Sequence, residues 1–202
     1  MNLLIDELPT SVFIDGVSYE INTDYRIAIM FETMMFDSEL SDEEKLEKAL
    51  YLFYENNVPE DISAAVDKIM WFYECGKAQE GGRKRKSRAE HKRVYDYDYD
   101  DAYIYAAFLQ QYGVDLQDEQ LHWWKFKAMF RSLRDDTEFV KIMGYRSIKI
   151  SGNMTKSQRE FYTEMKRIHA LPAPRNEVDK TKEIEKALLN GGDVASILAG
   201  GG

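Results

Sequence analysis

The sequence predicts a mainly helical α+β protein: a short N-terminal β-hairpin packed on helices, then a second helical subdomain. Two observations predict it. VFIDGVSYEI, Val12 to Ile21, sets two β-prone runs around Asp15-Gly16, a strong short hairpin signal. Beyond it, apolar residues recur at three- and four-residue spacing between capping residues and glycines. A lone hairpin is marginal in water, so those helices must supply its packing surface.

Each element has its own warrant. Asn22 or Thr23 is the expected cap of a first helix, with Ile27, Met30, Phe31 and Met34 on one stripe. Ser41-Asp42-Glu43-Glu44 is a capping box, followed by Leu46, Ala49, Leu50 and Phe53 at helical spacing. Pro59 opens a third helix, with Ile62, Ala65, Val66, Ile69 and Tyr73 inward and a stop near Gly76. Residues 1–76 thus form the first subdomain. Residues 77–94 hold Gly81-Gly82 and a dense run of Arg and Lys, and read as an exposed linker or loop.

The second helical subdomain spans 95–171. A helix from Asp100 to Gln111 is apolar nearly all round, which implies burial on more than one side, by the domain or by a partner. Gly113 stops it. The next helix is expected from Asp118 to Leu133, with stripes Leu121, Trp124, Ala128 and Trp123, Phe126, Phe130, Leu133. A short helix from Asp136 to Gly144 follows. Thr155 to His169 is then amphipathic, with Phe161, Met165 and Ile168 inward. Pro172 and Pro174 break the chain, and 172–202 forms a C-terminal tail with a charged helix from Glu177 to Leu189.

Composition narrows the function. The chain has 202 residues, a net charge of -9, 44% hydrophobic and 13% aromatic residues. It is long enough for a real core, and its acidity disfavours general nucleic-acid binding. Cys75 is the single cysteine, and His91, His122 and His169 lack ligand spacing, so neither a disulfide framework nor a Cys-based zinc site is expected. MNLLIDELPTS carries Asp6 and Glu7 and no basic run, so no secretory leader is expected, and no apolar run approaches a membrane span. A reducing cytoplasm is the expected setting.

The segment VYDYDYDD, beside GGRKRKSRAEHKR, admits several chemistries. Asp96, Asp98 and Asp100 have the opening spacing of an EF-hand loop, but Asp101 stands where its Gly belongs and Ala107 where its bidentate Glu belongs. The acidic segment is better read as opposing the positive end of the following helix, and no metal is expected. No nucleophile elbow or phosphate-binding glycine loop is present, so no catalytic residue, no cofactor and no enzyme activity are expected. The basic segment 83–93 suits phosphate, but the neighbouring aspartates repel it. Two association surfaces are then expected. Met30, Met34, Ile104, Phe108, Trp123, Trp124 and Phe126 form a candidate partner face, with Met35 adding to its pliability. Arg83, Lys84, Arg85, Lys86 and Arg88 of one copy are expected to meet Asp96, Asp98, Asp100 and Asp101 of the next, with contact inside one chain as the competing version.

At YDYDYDDAYIYAAFLQQYGVDL, LHWWKFKAMFRSL and IMGYRSIKI the sequence resembles the bacteriophage gp-fifteen family, found in the tail gene modules of long-tailed phages and prophages. The resemblance runs from the hairpin to about Ile150. Such genes typically sit just before the tape-measure gene, a place characteristic of tail assembly chaperones. The resemblance therefore implies a non-enzymatic chaperone that coats the tape-measure protein until tail-tube subunits replace it. It would self-associate, act in the host bacterial cytoplasm, involve no membrane, and be absent from the mature virion. The competing reading is a phage accessory protein that binds nucleic acid through 83–93.

Overall fold

The Asp15-Gly16 turn forms as expected, with φ of 50° and 80° at its two residues. Only a primed turn places both centres in the left-handed region, and its twist matches the strands it joins. Strand β1 (Ser11–Ile14) pairs antiparallel with β2 (Val17–Glu20), with Val12 opposite Tyr19 and Ile14 opposite Val17. Val12 and Ile14 are buried while Phe13 between them is exposed, the alternation of a one-sided sheet. The computed structural model describes residues 2–76 and 93–172. Among these residues seven helices follow the hairpin: α1 (Tyr25–Phe36), α2 (Asp42–Tyr54), α3 (Ile62–Tyr73), α4 (Asp101–Tyr112), α5 (Trp123–Arg131), α6 (Glu138–Ser147) and α7 (Lys156–Ile168).

The helix starts show which local signals decided. The capping box at Ser41 and Glu44 is made in both directions, and a second joins Thr155 and Gln158. Asp24, not Asn22 or Thr23, caps α1, its carboxylate accepting from Arg26 N at 2.8 Å. Asp61 caps α3, two residues past the buried Pro59. Gly113, at φ 66°, ends α4.

Helix α5 is shorter than its periodicity predicts. The chain turns at Leu116–Asp118 and winds only from Trp123. Residues 121–123 instead lie against the start of α1: Tyr25 N donates to Leu121 O at 3.0 Å and Trp123 N to Thr23 O at 2.8 Å. Tyr25 Oη and Arg26 Nη2 also reach Leu116 O, at 2.6 and 2.7 Å. His122 caps α5, its Nδ1 accepting from Trp124 N while Nε2 donates to Pro9 O at 3.0 Å. Burial holds its pKa below the ordinary histidine value, consistent with a neutral ring in these two roles.

One cluster of buried side chains runs from Val12 to Phe139 and draws on both halves of the chain. Phe126 is at its centre, stacked between Tyr25 at 4.7 Å and Phe108 at 4.9 Å. The indoles join the halves by hydrogen bonds too: Trp123 Nε1 donates to Tyr73 O at 2.9 Å and Trp124 Nε1 to Phe72 O at 2.8 Å. These carbonyls close α3, where a helix runs out of its own donors. Gly76, at φ 67°, lets the chain leave there, because a Cβ on it would stand 2.7 Å from Trp124 Cη2. The subdomains read at 1–76 and 95–171 therefore share a core. The linker, apart from Arg93 and Val94, and the tail beyond Pro172 lie outside the described residues.

Candidate functional site

The aspartate ladder folds inward. Asp96 Oδ1 accepts from Asp98 N at 2.7 Å and Tyr99 N at 2.8 Å, an Asx-type turn that starts α4. Asp96 also pairs with Arg93. Asp100 is fully buried, and both its oxygens are taken by Arg146 of α6, Oδ2 from Nη1 at 2.6 Å and Oδ1 from Nη2 at 2.8 Å. Arg146 goes on to donate to Val94 O at 3.1 Å and to His169 O at 2.5 Å, while its own carbonyl accepts from Lys166 Nζ at 3.1 Å. One guanidinium thus ties together the start of α4, the end of α6, the end of α7 and the entering strand of chain at Val94.

Asp100 cannot serve the contact between copies expected of it, because its partner is internal. A buried carboxylate without a cation would be prohibitively costly, and Arg146 is the cation. Asp98 and Asp101 remain exposed, with Asp101 Oδ1 accepting from Ala102 N at 2.7 Å. Arg83, Lys84, Arg85, Lys86 and Arg88 lie outside the described residues. Sequence gave little signal for Arg146, a lone cation near the end of an ordinary helix. Among the described residues no group of three or more His, Cys, Asp or Glu is placed to hold a metal ion.

The expected partner face is also corrected. Met34, Ile104, Phe108, Trp123, Trp124 and Phe126 are all core residues, so they are unavailable to a partner while the fold is closed. Excess apolar periodicity on α5 reflected a helix surrounded by its own chain. On α4 it did not: Ile104, Ala107 and Phe108 are buried, whereas Tyr103 and Leu109 face outward. Met30 is the exception in the set, 47% exposed on the outer side of α1, and Met35 and Phe36 are exposed at that helix's end. Arg93 lies over the Phe36 ring at 5.5 Å.

A charge on the apolar side of α1 escaped the sequence reading. Glu32 is buried, seven residues after Tyr25 and four after Ala28, and that position marks it as an inward acid. Tyr73 Oη donates to its Oε2 and Tyr95 Oη to its Oε1 at 3.2 Å. Lys127 Nζ lies 3.9 Å from Oε2 and 4.5 Å from the Trp123 ring centre. The neighbouring Tyr97 hydroxyl is buried, and burial pushes its pKa far up. Glu32 is thus held by partners within the fold, while the Tyr97 hydroxyl beside it has no hydrogen-bond partner among the described residues.

Two apolar features remain at the surface near the Arg146 clasp. Helix α7 buries no residue fully. It turns Tyr162, Met165 and His169 toward the body and leaves Phe161 and Ile168 about half exposed, a rotation away from the expected inward stripe. Tyr145 of α6 supplies the contact, stacked on His169 at 5.8 Å and edge-on to Phe161 at 6.1 Å. Beside it runs a groove of about 550 Å³ lined by Val94, Ser147, Ile148, Lys149, Ile150 and Lys166.

The hairpin and the closed helical core define a small, mainly helical protein, with apolar side chains left exposed on α1 and α7. Its residues 4–171 match the family model described as Bacteriophage Gp15 protein, and the chain belongs to that family. Comparison with curated proteins and with solved structures gives no match.

Proposed function

We propose that the chain is a tail assembly chaperone that binds and solubilises the tape-measure protein while the tail is built. Family membership across 4–171 carries this reading, together with the place that such genes typically hold before the tape-measure gene. The physics supports it. A tape-measure protein is long, helical and apolar in places, so alone it would aggregate. Its chaperone needs an adaptable apolar face, and on this chain the exposed candidates are Met30, Met35 and Phe36 of α1. Unbranched thioethers repack against successive helix segments more readily than a rigid pocket does. Weak contacts multiplied over many copies then allow tail-tube subunits to displace the coat. The role is binding without covalent chemistry, in the host cytoplasm, and leaves no copy in the finished virion.

Co-expression with the cognate tape-measure protein tests it. The chain should keep that protein soluble and elute with it. The double variant Met30→Asp/Met35→Asp should fold and lose the complex, since exposed substitutions of this kind typically change stability by less than about 0.5 kcal/mol. A tape-measure protein that stays insoluble beside the wild-type chain would count against the chaperone role. Salt-dependent binding to duplex DNA in the same preparations would instead favour the basic segment 83–93 as the working surface.

A further inference from the structure

The segment before the hairpin is an apolar knob on a closed turn. Ile5 N and Asp6 N donate to Asn2 O at 3.2 and 2.9 Å, and Leu4 N to Asn2 Oδ1 at 2.9 Å. Asn2 N in turn donates to Asp6 Oδ2 at 2.6 Å. The turn presents Leu4, 91% exposed, and Ile5, 79% exposed, with Leu3 beside them. Its base is fixed: Leu8 packs on the core and Pro9 O accepts from His122. Directly after the aliphatic residues come Asp6 and Glu7. Aliphatic side chains held this far into water incur a hydration cost that a partner surface would relieve.

The groove between Val94, residues 147–150 and Lys166 has the matching character. Val94, Ile148 and Ile150 give it apolar walls, and Lys149 and Lys166 bring positive charge to them. It is an open groove and not an enclosed cavity, so it suits a protruding chain segment better than a small ligand. The Arg146 clasp, which holds Val94 O and receives Lys166, keeps the two sides of the groove in register. We propose that the Leu3–Glu7 knob of one copy seats in this groove of a second copy, with Leu4 and Ile5 against Val94, Ile148 and Ile150, and Asp6 and Glu7 facing Lys149 and Lys166. The knob is not in its own groove, since Leu4 stands almost wholly in solvent. The contact proposed therefore joins two molecules, each of which carries both complementary halves. Because knob and groove are different patches, the contact is head-to-tail and repeats as a ring or filament. It rests on neither the tape-measure reading nor the basic segment.

Sedimentation velocity on the full chain, without any partner, tests it. Wild type should gain mass with concentration. Leu4→Asp in the knob and Lys149→Glu at the groove, both exposed positions, should each weaken association about tenfold or more. The mixture is the decisive arm. The knob variant keeps a sound groove and the groove variant a sound knob, so together they should form a one-to-one dimer and nothing larger. Glu7→Lys, which leaves the Asn2–Asp6 turn intact, placed with Lys149→Glu in one chain should recover part of the association. A wild-type chain that stays monomeric at the highest concentration overturns the proposal. So does association that neither variant weakens, or a mixture that yields no dimer.

Discussion

Asp100→Ala should destabilise the protein severely, although Asp100 itself presents nothing to solvent. Asp100 is fully buried, its two hydrogen bonds to Arg146 are 2.6 and 2.8 Å, and the guanidinium is nearly as buried. Removing the carboxylate leaves a buried cation without its counter-charge, a defect worth about 3–5 kcal/mol. Val94 O and His169 O still accept from Arg146, which places the loss at the lower part of that range. Against the roughly 5–15 kcal/mol that holds a domain together, this is a large share. Urea unfolding followed by tryptophan fluorescence reads it directly, because Trp123 and Trp124 are core residues. The matching double variant, Asp100→Leu with Arg146→Met, should cost much less than the sum of the two single changes, since it removes both charges at once. A loss under about 1 kcal/mol for Asp100→Ala, or additive costs in the cycle, would show that the clasp is not what holds α4, α6 and α7 together.

Gly76→Ala should cost about 1–3 kcal/mol, through the positive φ and through a Cβ placed 2.7 Å from Trp124 Cη2, as measured by the same urea titration. His122 gives stability a pH slope. Its pKa is depressed in the folded state, so the stabilisation is complete above the unfolded value of about 6.5 and is lost as pH falls from there toward the folded pKa. Unfolding midpoints taken from pH 7.5 down to pH 5 should show this for wild type, and His122→Asn, which retains a capping oxygen, should show less of it. Calorimetric titration with calcium should give no micromolar binding at the aspartate ladder, because Arg146 occupies both Asp100 oxygens and Asp96 Oδ1 accepts two backbone amides.

Local signals made much of the fold legible. Asp15-Gly16 fixed the hairpin, Ser41 with Glu44 fixed the start of α2, and Gly113 fixed the end of α4, because each is decided by a few adjacent residues. Long-range partners decided the rest. Nothing within LQDEQLHWW says that residues 121–123 will pair with the start of α1, so the helix was expected five residues too early. Gly144 lies inside α6 rather than ending it, since Tyr145 and Arg146 continue the helix to reach α7 and Asp100. Apolar stripes on α5 could not reveal whether self or partner covers them, and the core turned out to take nearly all of the expected face. Phe161 faces outward for a related reason: the angle at which α7 packs on α6 follows the stacking of Tyr145 on His169, a contact the periodicity does not contain.

Hydrogen–deuterium exchange on the chain, with and without a soluble helical fragment of the cognate tape-measure protein, tests the central claim most directly. Binding through the exposed flank should slow exchange in α1 around Met30 to Phe36, with no faster exchange in the α5 segment that carries Trp123 and Phe126. An unchanged α1 together with faster exchange across α5 would contradict it, because the partner would then be reaching the buried aromatic core instead of the surface that the closed fold presents.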